Sequence, residues 1–290
     1  MDLGRRDLGR MDPRERYEQR VAGLGSNPSV PPASEVPGRE DYGWIAFEGL
    51  QNTRDLGGLP AADGRRIKRG LLLRSGALGF GTPADLARLQ SEYGLRVVVD
   101  LRNKSEVAEQ PDPMDRLPGV RYLHADILMG RAAGISHDKA SRKRFKRLRA
   151  VVGAGDLSDF FTILYPMMIL GASGIAGYRA LFDELLAGDE GAVLWHCTIG
   201  RDRCGLGCLL VETALGVPAD EIERDHLASN VYVPAEYRGR DGNGGASHAA
   251  FAAAIAAAER EYGGVMGYLH GALGLTEGEL ACLRARYLEA

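Results

Sequence analysis

An apolar run from Gly191 to Trp195 stops at His196 and Cys197, turns through a small loop containing Gly200, and passes into a helical pattern from Gly205 to Leu215. A buried strand, a tight loop and a helix N-terminus in succession form a natural anion site, because unpaired backbone N–H groups and the helix dipole converge there. The same field lowers the pKa of a thiol, so Cys197 reads as a thiolate at neutral pH. Arg203, six positions after the cysteine, supplies a planar fork able to hold two phosphate oxygens at once. A nucleophile and an oxyanion clamp in one loop point to attack on phosphorus. The spacing alone carries little; Cys204, Cys208 and Cys282 have no arginine six positions on, and the weight comes from the strand before, the glycine within and the helix after. A plain core cysteine leaves Arg201, Asp202 and Arg203 unexplained.

Strands and helices alternate around this stretch. Trp44 to Phe47, Lys68 to Arg74, Leu95 to Leu101 and Val120 to Ile127 read as strands, and Asn52 to Gly58 as a structured turn. Thr82 and Pro83 open a helix that Gly94 closes. Helical patterns cover Asp156 to Leu170, Gly177 to Leu186, Pro218 to Ser229, Ser247 to Tyr262 and Gly264 to Leu273, and Thr276 opens a last helix with Glu279 completing a capping box. The alternation predicts an α/β fold, with a mostly parallel central sheet flanked by helices and a helical C-terminal block. Residues 1–40, charged and then rich in Pro, Ser and Gly, read as a disordered segment or one frayed helix over Asp12 to Ala22. Residues 41–290 then form a single domain. Asp100 and Arg102 lie at the carboxyl end of the Leu95–Leu101 run. Ligands of open α/β sheets bind outside such ends, which puts the pair in range of the loop, although a salt bridge capping the strand explains it equally well.

A chain of 290 residues with 45% hydrophobic residues and a net charge of -3 has the composition of an ordinary globular domain and gives no sign of nucleic-acid binding. No apolar run approaches the length that crosses a bilayer, and Met1 to Arg20 lacks the apolar segment of a secretory signal. Four cysteines without regular spacing argue against a disulfide framework or a zinc site. With a reactive thiolate, these features predict a cytoplasmic protein that needs no metal and no cofactor. One basic stretch stands out, with Arg142, Lys143, Arg144, Lys146, Arg147 and Arg149 clustered. It reads either as a solvated helix face or as a surface that docks an acidic substrate or an anionic membrane.

His196 to Gly205 resembles the signature loop of the cysteine-dependent protein tyrosine phosphatases, and most closely an atypical microbial branch with an HCxxGKDRTG loop. Asn52 to Gly58, Leu73 to Leu78, Val99 to Arg102 and Asp225 to Asn230 match the same branch in order, so the resemblance runs from about Trp44 onwards. It implies a cysteine-dependent phosphomonoester hydrolase working through a phosphocysteine intermediate, on phosphorylated protein or on phosphoinositide. It also implies a helical insertion or lid over residues 129–170 and places Arg54 and Asp55 near the loop. On this reading Cys197 is the nucleophile, and Arg203 with the backbone of Thr198, Ile199, Gly200 and Arg201 holds the phosphoryl oxygens. Asp202 is the proton donor, with Asp126 as the alternative, and His196 orients the loop. Arg201 stands where the branch has lysine and reads as a second fixed cation along the loop rim; Cys204 stands where the branch has a threonine hydroxyl beside the thiolate. Those two departures leave room for a catalytically silent phosphate- or lipid-binding module. A sulfur-transferring or arsenate-reducing thiol enzyme is the remaining alternative.

Overall fold

The computed structural model describes residues 11–24, 29–128, 139, 143, 157–188, 190–237 and 245–289. Its centre is a five-stranded sheet built from β1 (Arg54–Asp55), β3 (Leu72–Ser75), β4 (Val97–Asp100), β5 (Arg121–His124) and β6 (Val193–His196). The order is β1-β3-β6-β4-β5, with β1 antiparallel to β3 and every other pair parallel. A two-stranded ribbon joins β2 (Arg66–Ile67) to β7 (Leu288–Glu289). The register of the parallel strands aligns their carboxyl ends. Ser75 pairs with His196, His196 with Asp100, and Asp100 with His124, so four strands end in one row.

Alternation along the strands divides the interior into two layers. Leu72, Val97, Val99, Val193 and Trp195 face the larger cluster, while Leu73, Val98 and Leu194 face the smaller one. The larger is covered by α4 (Leu157–Leu170), α5 (Ala172–Leu186), α6 (Asp202–Leu215), α8 (His248–Tyr262), α9 (Val265–Gly271) and α10 (Glu277–Tyr287). On the other side α2 (Pro83–Ser91) contributes Leu86 and Leu89. Continuous apolar strands covered by helices on both faces are what a buried parallel sheet requires. Both caps foreseen in the sequence are present, at Thr82 with Asp85 and at Thr276 with Glu279.

Two segments depart from the pattern expected of the sequence. Lys68 does not belong to the strand expected over Lys68 to Arg74; its N–H and Nζ go to the carbonyls of Tyr287 and Arg286, so this end of the run serves the ribbon. Trp44 makes only an isolated bridge with Arg54 in place of a strand. Of the two readings of the N-terminal segment, the helix over Asp12 to Ala22 is the one present, as α1 (Pro13–Ala22), capped by Asp12. Its Tyr17 is buried against Tyr42 and against Tyr232 of α7 (Ala219–Tyr232), and Arg20 lies 3.9 Å from the Trp44 ring. None of these partners lies within the helix, and Tyr232 is 215 residues from Tyr17, which is why local composition gives no hint of the packing. Of the basic stretch, Lys143 is an exposed helical residue; Arg142, Arg144, Lys146, Arg147 and Arg149 lie outside the described residues, as does most of the insertion before α4.

Candidate active site

Helix α6 begins at Asp202 rather than Gly205, so Asp202, Arg203 and Cys204 form its first turn and only Cys197 to Arg201 make the loop. The loop is gripped from outside through its carbonyls. Ala77 N–H donates to Thr198 O, at 3.0 Å. Asn52 Nδ2 donates to Ile199 O at 3.2 Å and to Gly200 O at 2.8 Å, and Arg74 donates to Gly200 O at 2.8 Å. A planar trans peptide points its N–H opposite its carbonyl, so the N–H groups of Ile199, Gly200 and Arg201 turn inward, forming an anion nest. Gly200 adopts φ +66, and a Cβ there would sit 2.7 Å from the Ser75 carbonyl oxygen. Only glycine permits both the left-handed turn and that approach.

Cys197 sits at the floor of this nest. Burial opposes its ionisation, but the Cys204 thiol donates to its sulfur, and the Arg203 guanidinium and the Cys204 N–H also favour the charge, so its pKa is lowered to about 5. Asp202 works against the thiolate without reversing that outcome. Cys204 therefore takes the role expected of the absent hydroxyl, and its own thiol is pushed well up by burial and by the neighbouring thiolate.

Arg203 is fixed by a residue that sequence reasoning did not single out. Glu106 of α3 (Lys104–Glu109) accepts from Arg203 Nη1 at 2.7 Å through Oε2 and from Nη2 at 2.9 Å through Oε1. The Thr198 hydroxyl donates to the same Oε1. Glu106 Oε2 also accepts the Asn103 N–H, closing the capping box of α3. Asn103 three residues before a glutamate is a legible cap signal, but nothing local says that the carboxylate also clamps an arginine.

Asp202 and Arg201 turn toward each other. Arg201 Nε donates to Asp202 Oδ1 at 3.0 Å, Tyr165 Oη donates to the same oxygen at 2.7 Å, and Arg201 Nη1 donates to Tyr237 O at 3.1 Å. Arg201 is thus buried within the protein, which corrects the rim position expected for it; a carboxylate and a carbonyl compensate its desolvation. Burial opposes ionisation of Asp202, yet Arg201 and the Tyr165 hydroxyl hold its pKa below the ordinary carboxylate value. Asp126, just past β5, accepts the Leu128 N–H at 2.9 Å.

Arg54 reaches the loop at one remove. It donates to Asp225 Oδ1 at 3.0 Å, while Arg74, which holds Gly200, donates to Asp225 Oδ2 at 2.7 Å. Arg39 makes a third buried pair with this carboxylate, at 3.2 Å. Asp55 turns away, accepting the N–H groups of Gly57 and Gly70 at 2.8 Å each, so it shapes the Asn52–Gly58 turn rather than the loop.

His196 faces Asp112 Oδ2 at 2.9 Å and Asp100 Oδ1 at 3.8 Å, with its Nδ1 3.2 Å from the Cys197 carbonyl oxygen. Arg102 clasps Asp100 in a bidentate pair and lies 3.1 Å from Asp112. The two expectations for Asp100 and Arg102 merge: the pair caps its strand and braces the histidine that precedes the nucleophile. These donors, and the group Cys208, Glu212 and Asp225, have the spacing of metal ligands, but arginines already sit on the carboxylates of both. Burial disfavours imidazolium at His196, but Asp112 and Asp100 overcome it and raise its pKa. A group with a raised folded pKa contributes stability that is complete below its unfolded value of about 6.5 and is lost as pH rises through the folded one. Asp112→Asn is therefore expected to destabilise the protein most in mildly acidic solution and less at alkaline pH. Urea denaturation on both sides of that window checks it; a difference that grows with pH would contradict the pairing.

The sequence model of the tyrosine phosphatase family matches residues 45–289. The chain belongs to the tyrosine phosphatase family. It is 36% identical over 207 residues to a Cupriavidus necator protein provisionally named a tyrosine-protein phosphatase, covering 70% of this chain and 68% of that one. A tyrosine-protein phosphatase of Nostoc commune is 26% identical over 250 residues, covering 80% and 79% of the two chains. The triple specificity protein phosphatase PtpB of Mycobacterium tuberculosis is 30% identical over 199 residues, covering 64% and 69%. This member of the family is a cysteine-dependent phosphatase acting on phosphorylated substrates. No single helix among its described residues is long and apolar enough to cross a membrane; α4 and α5 reach that length only as a pair bent by 59°, and residues of both helices pack into the larger core cluster.

Proposed function

We propose that the protein hydrolyses phosphotyrosyl proteins through a phosphocysteine formed on Cys197. The observation that carries this reading is the pairing of a thiolate favoured near neutral pH with an arginine whose fork Glu106 has already oriented. Cys197 attacks phosphorus, the S–P bond forms as the ester P–O bond breaks, and water then cleaves the S–P bond. The inward N–H groups of Ile199, Gly200 and Arg201 and the Arg203 guanidinium stabilise the equatorial oxygens. Asp202 delivers the proton to the leaving oxygen. Arg201 and Tyr165 keep it ionised in the resting loop, but a bound phosphoryl dianion raises the pKa of a neighbouring carboxyl, so the proton is taken up with the substrate.

The names of the tyrosine-phosphatase relatives support a protein substrate. Arg201, spent on Asp202 and Tyr237, offers no fork to a second phosphate, which favours an isolated monoester over a multiply phosphorylated inositol. A catalytic thiolate also suits the reducing cytoplasm. Phosphate release across phosphopeptides and phosphoinositides tests the substrate class; preference for the lipids overturns it. Asp202→Asn tests the proton donor. Poor leaving groups are expected to slow by about 10²- to 10⁴-fold and activated aryl phosphates far less. Equal losses on both move the role to Asp126.

A further inference from the structure

The family's sequence model begins its match at residue 45, yet the segment before it sends a guanidinium into the supports of the loop. Arg39 is fully buried. Its Nη1 donates to the carbonyls of Asp55 and Gly57, the latter at 3.0 Å, and its Nη2 donates to Tyr42 O and Asp225 Oδ1, each at 3.2 Å. A Cβ at Gly43 would sit 2.7 Å from Nη1, so the backbone closes directly on the guanidinium. The segment that carries Arg39 is itself tied down. The Asp41 carboxylate accepts from Arg16 of α1 at 2.7 Å, and the Asp41 carbonyl accepts from the Tyr232 hydroxyl of α7 at 2.7 Å.

Two routes lead from these contacts to one atom. Asp225 Oδ1 takes Arg39 and Arg54, while its Oδ2 takes Arg74, whose Nη2 donates to Gly200 O. The Asp55 and Gly57 carbonyls belong to the Asn52–Gly58 turn, and Asn52 Nδ2 donates to the same Gly200 O and to Ile199 O. Asn52 holds φ +49, a left-handed conformation that the surrounding turn must maintain. Gly200 O shares a planar peptide with the Arg201 N–H, as Ile199 O does with the Gly200 N–H. Whatever fixes those carbonyls therefore aims two N–H groups into the nest. We propose that Arg39 is a positioning residue for the nest, holding the Gly200 carbonyl through the Asp225–Arg74 pair and through the Asn52–Gly58 turn at once. The N-terminal segment is thereby part of the catalytic unit, acting on the reaction through the geometry of the loop. A guanidinium suits this place because its planar fork serves four diverging acceptors; an ammonium keeps the charge without that spread. The Cys197 thiolate is set by Cys204, Arg203 and Asp202, so loosening the Gly200 carbonyl weakens oxyanion binding and leaves the thiolate in place.

The inference rests on this loop being the phosphoryl site proposed above; hydrolysis by the wild type and its inhibition by vanadate report that reading separately. In the full chain, Arg39→Lys is expected to lower kcat and to weaken vanadate inhibition by about 10- to 10²-fold, the scale on which a small misplacement acts. The iodoacetate profile of Cys197 is expected still to rise through about 5. That split separates positioning from general damage to the site, which would move the profile as well. A second measurement needs no variant and keeps the test available should Arg39→Lys fail to fold. Coupling between two sites is reciprocal, so vanadate bound to the wild type is expected to slow amide hydrogen exchange in residues 36–44 as well as in residues 197–201. Wild-type kcat and vanadate inhibition in Arg39→Lys, an alkylation profile that shifts along with them, or exchange in residues 36–44 that vanadate leaves unchanged overturns the inference.

Discussion

Cys197→Ser is expected to abolish phosphomonoester hydrolysis, with a fall in kcat on the order of 10⁶-fold, the scale on which an essential nucleophile is missed. The nest is built for a thiolate: Cys204 donates to the sulfur from its thiol and its N–H, and Arg203 adds a fixed positive charge. A serine hydroxyl ionises far less readily, so the same field leaves it protonated and poorly nucleophilic. The wild-type thiol should alkylate with iodoacetate along a pH profile that rises through about 5, because only the thiolate reacts. Inorganic phosphate should slow that reaction by occupying the inward N–H groups. Turnover of a phosphomonoester by the serine variant would remove the covalent mechanism. An alkylation profile centred on the ordinary thiol range would remove the electrostatic account of the nest.

The nucleophile loop was legible in the sequence because its signals are local. An apolar strand, a glycine within the turn, and an arginine at fixed spacing all lie within about one strand–loop–helix unit. The caps at Thr82 and Thr276 were legible for the same reason: each is closed by a residue three positions away. The loop's supports lie elsewhere in the chain. Glu106 is 97 residues from Arg203, Asn52 is 148 from Gly200, and Arg54 is 171 from Asp225. A carboxylate that caps one helix while orienting an arginine on another has no periodic trace. Arg201 shows the opposite failure, in which a general rule misled. Charged side chains are usually exposed, but here Asp202 and the Tyr237 carbonyl supply enough polar contact to keep the guanidinium inside. At α1 the helix over Asp12 to Ala22 was legible but its packing was not, since its aromatic partner Tyr232 lies in α7, 215 residues on from Tyr17.

Arg203→Lys is expected to lower kcat/KM by about 10³- to 10⁵-fold, the range over which a phosphoryl-stabilising arginine acts. Lysine keeps the charge but cannot bind Glu106 with one edge while presenting parallel N–H groups to phosphate oxygens. Glu106 itself touches no phosphate in this arrangement; it acts by holding the guanidinium with contacts of 2.7 and 2.9 Å. Glu106→Gln preserves its shape and one acceptor oxygen, and it is expected to cost on the order of 10²-fold in kcat through misplacement of the clamp. Glu106→Ala leaves a buried guanidinium without its carboxylate and should also destabilise the fold by about 3–5 kcal/mol, so the glutamine variant is the cleaner probe. The pair is then read as a cycle. If Glu106 works only through Arg203, adding Glu106→Gln to Arg203→Lys removes little further activity, because the clamp it served is already lost. Inhibition by vanadate should follow the same pattern, weakened by each single change and barely weakened further in the double variant. Losses that multiply across the two sites would mean that Glu106 acts on the reaction independently of Arg203, for instance through Thr198, whose hydroxyl it also holds.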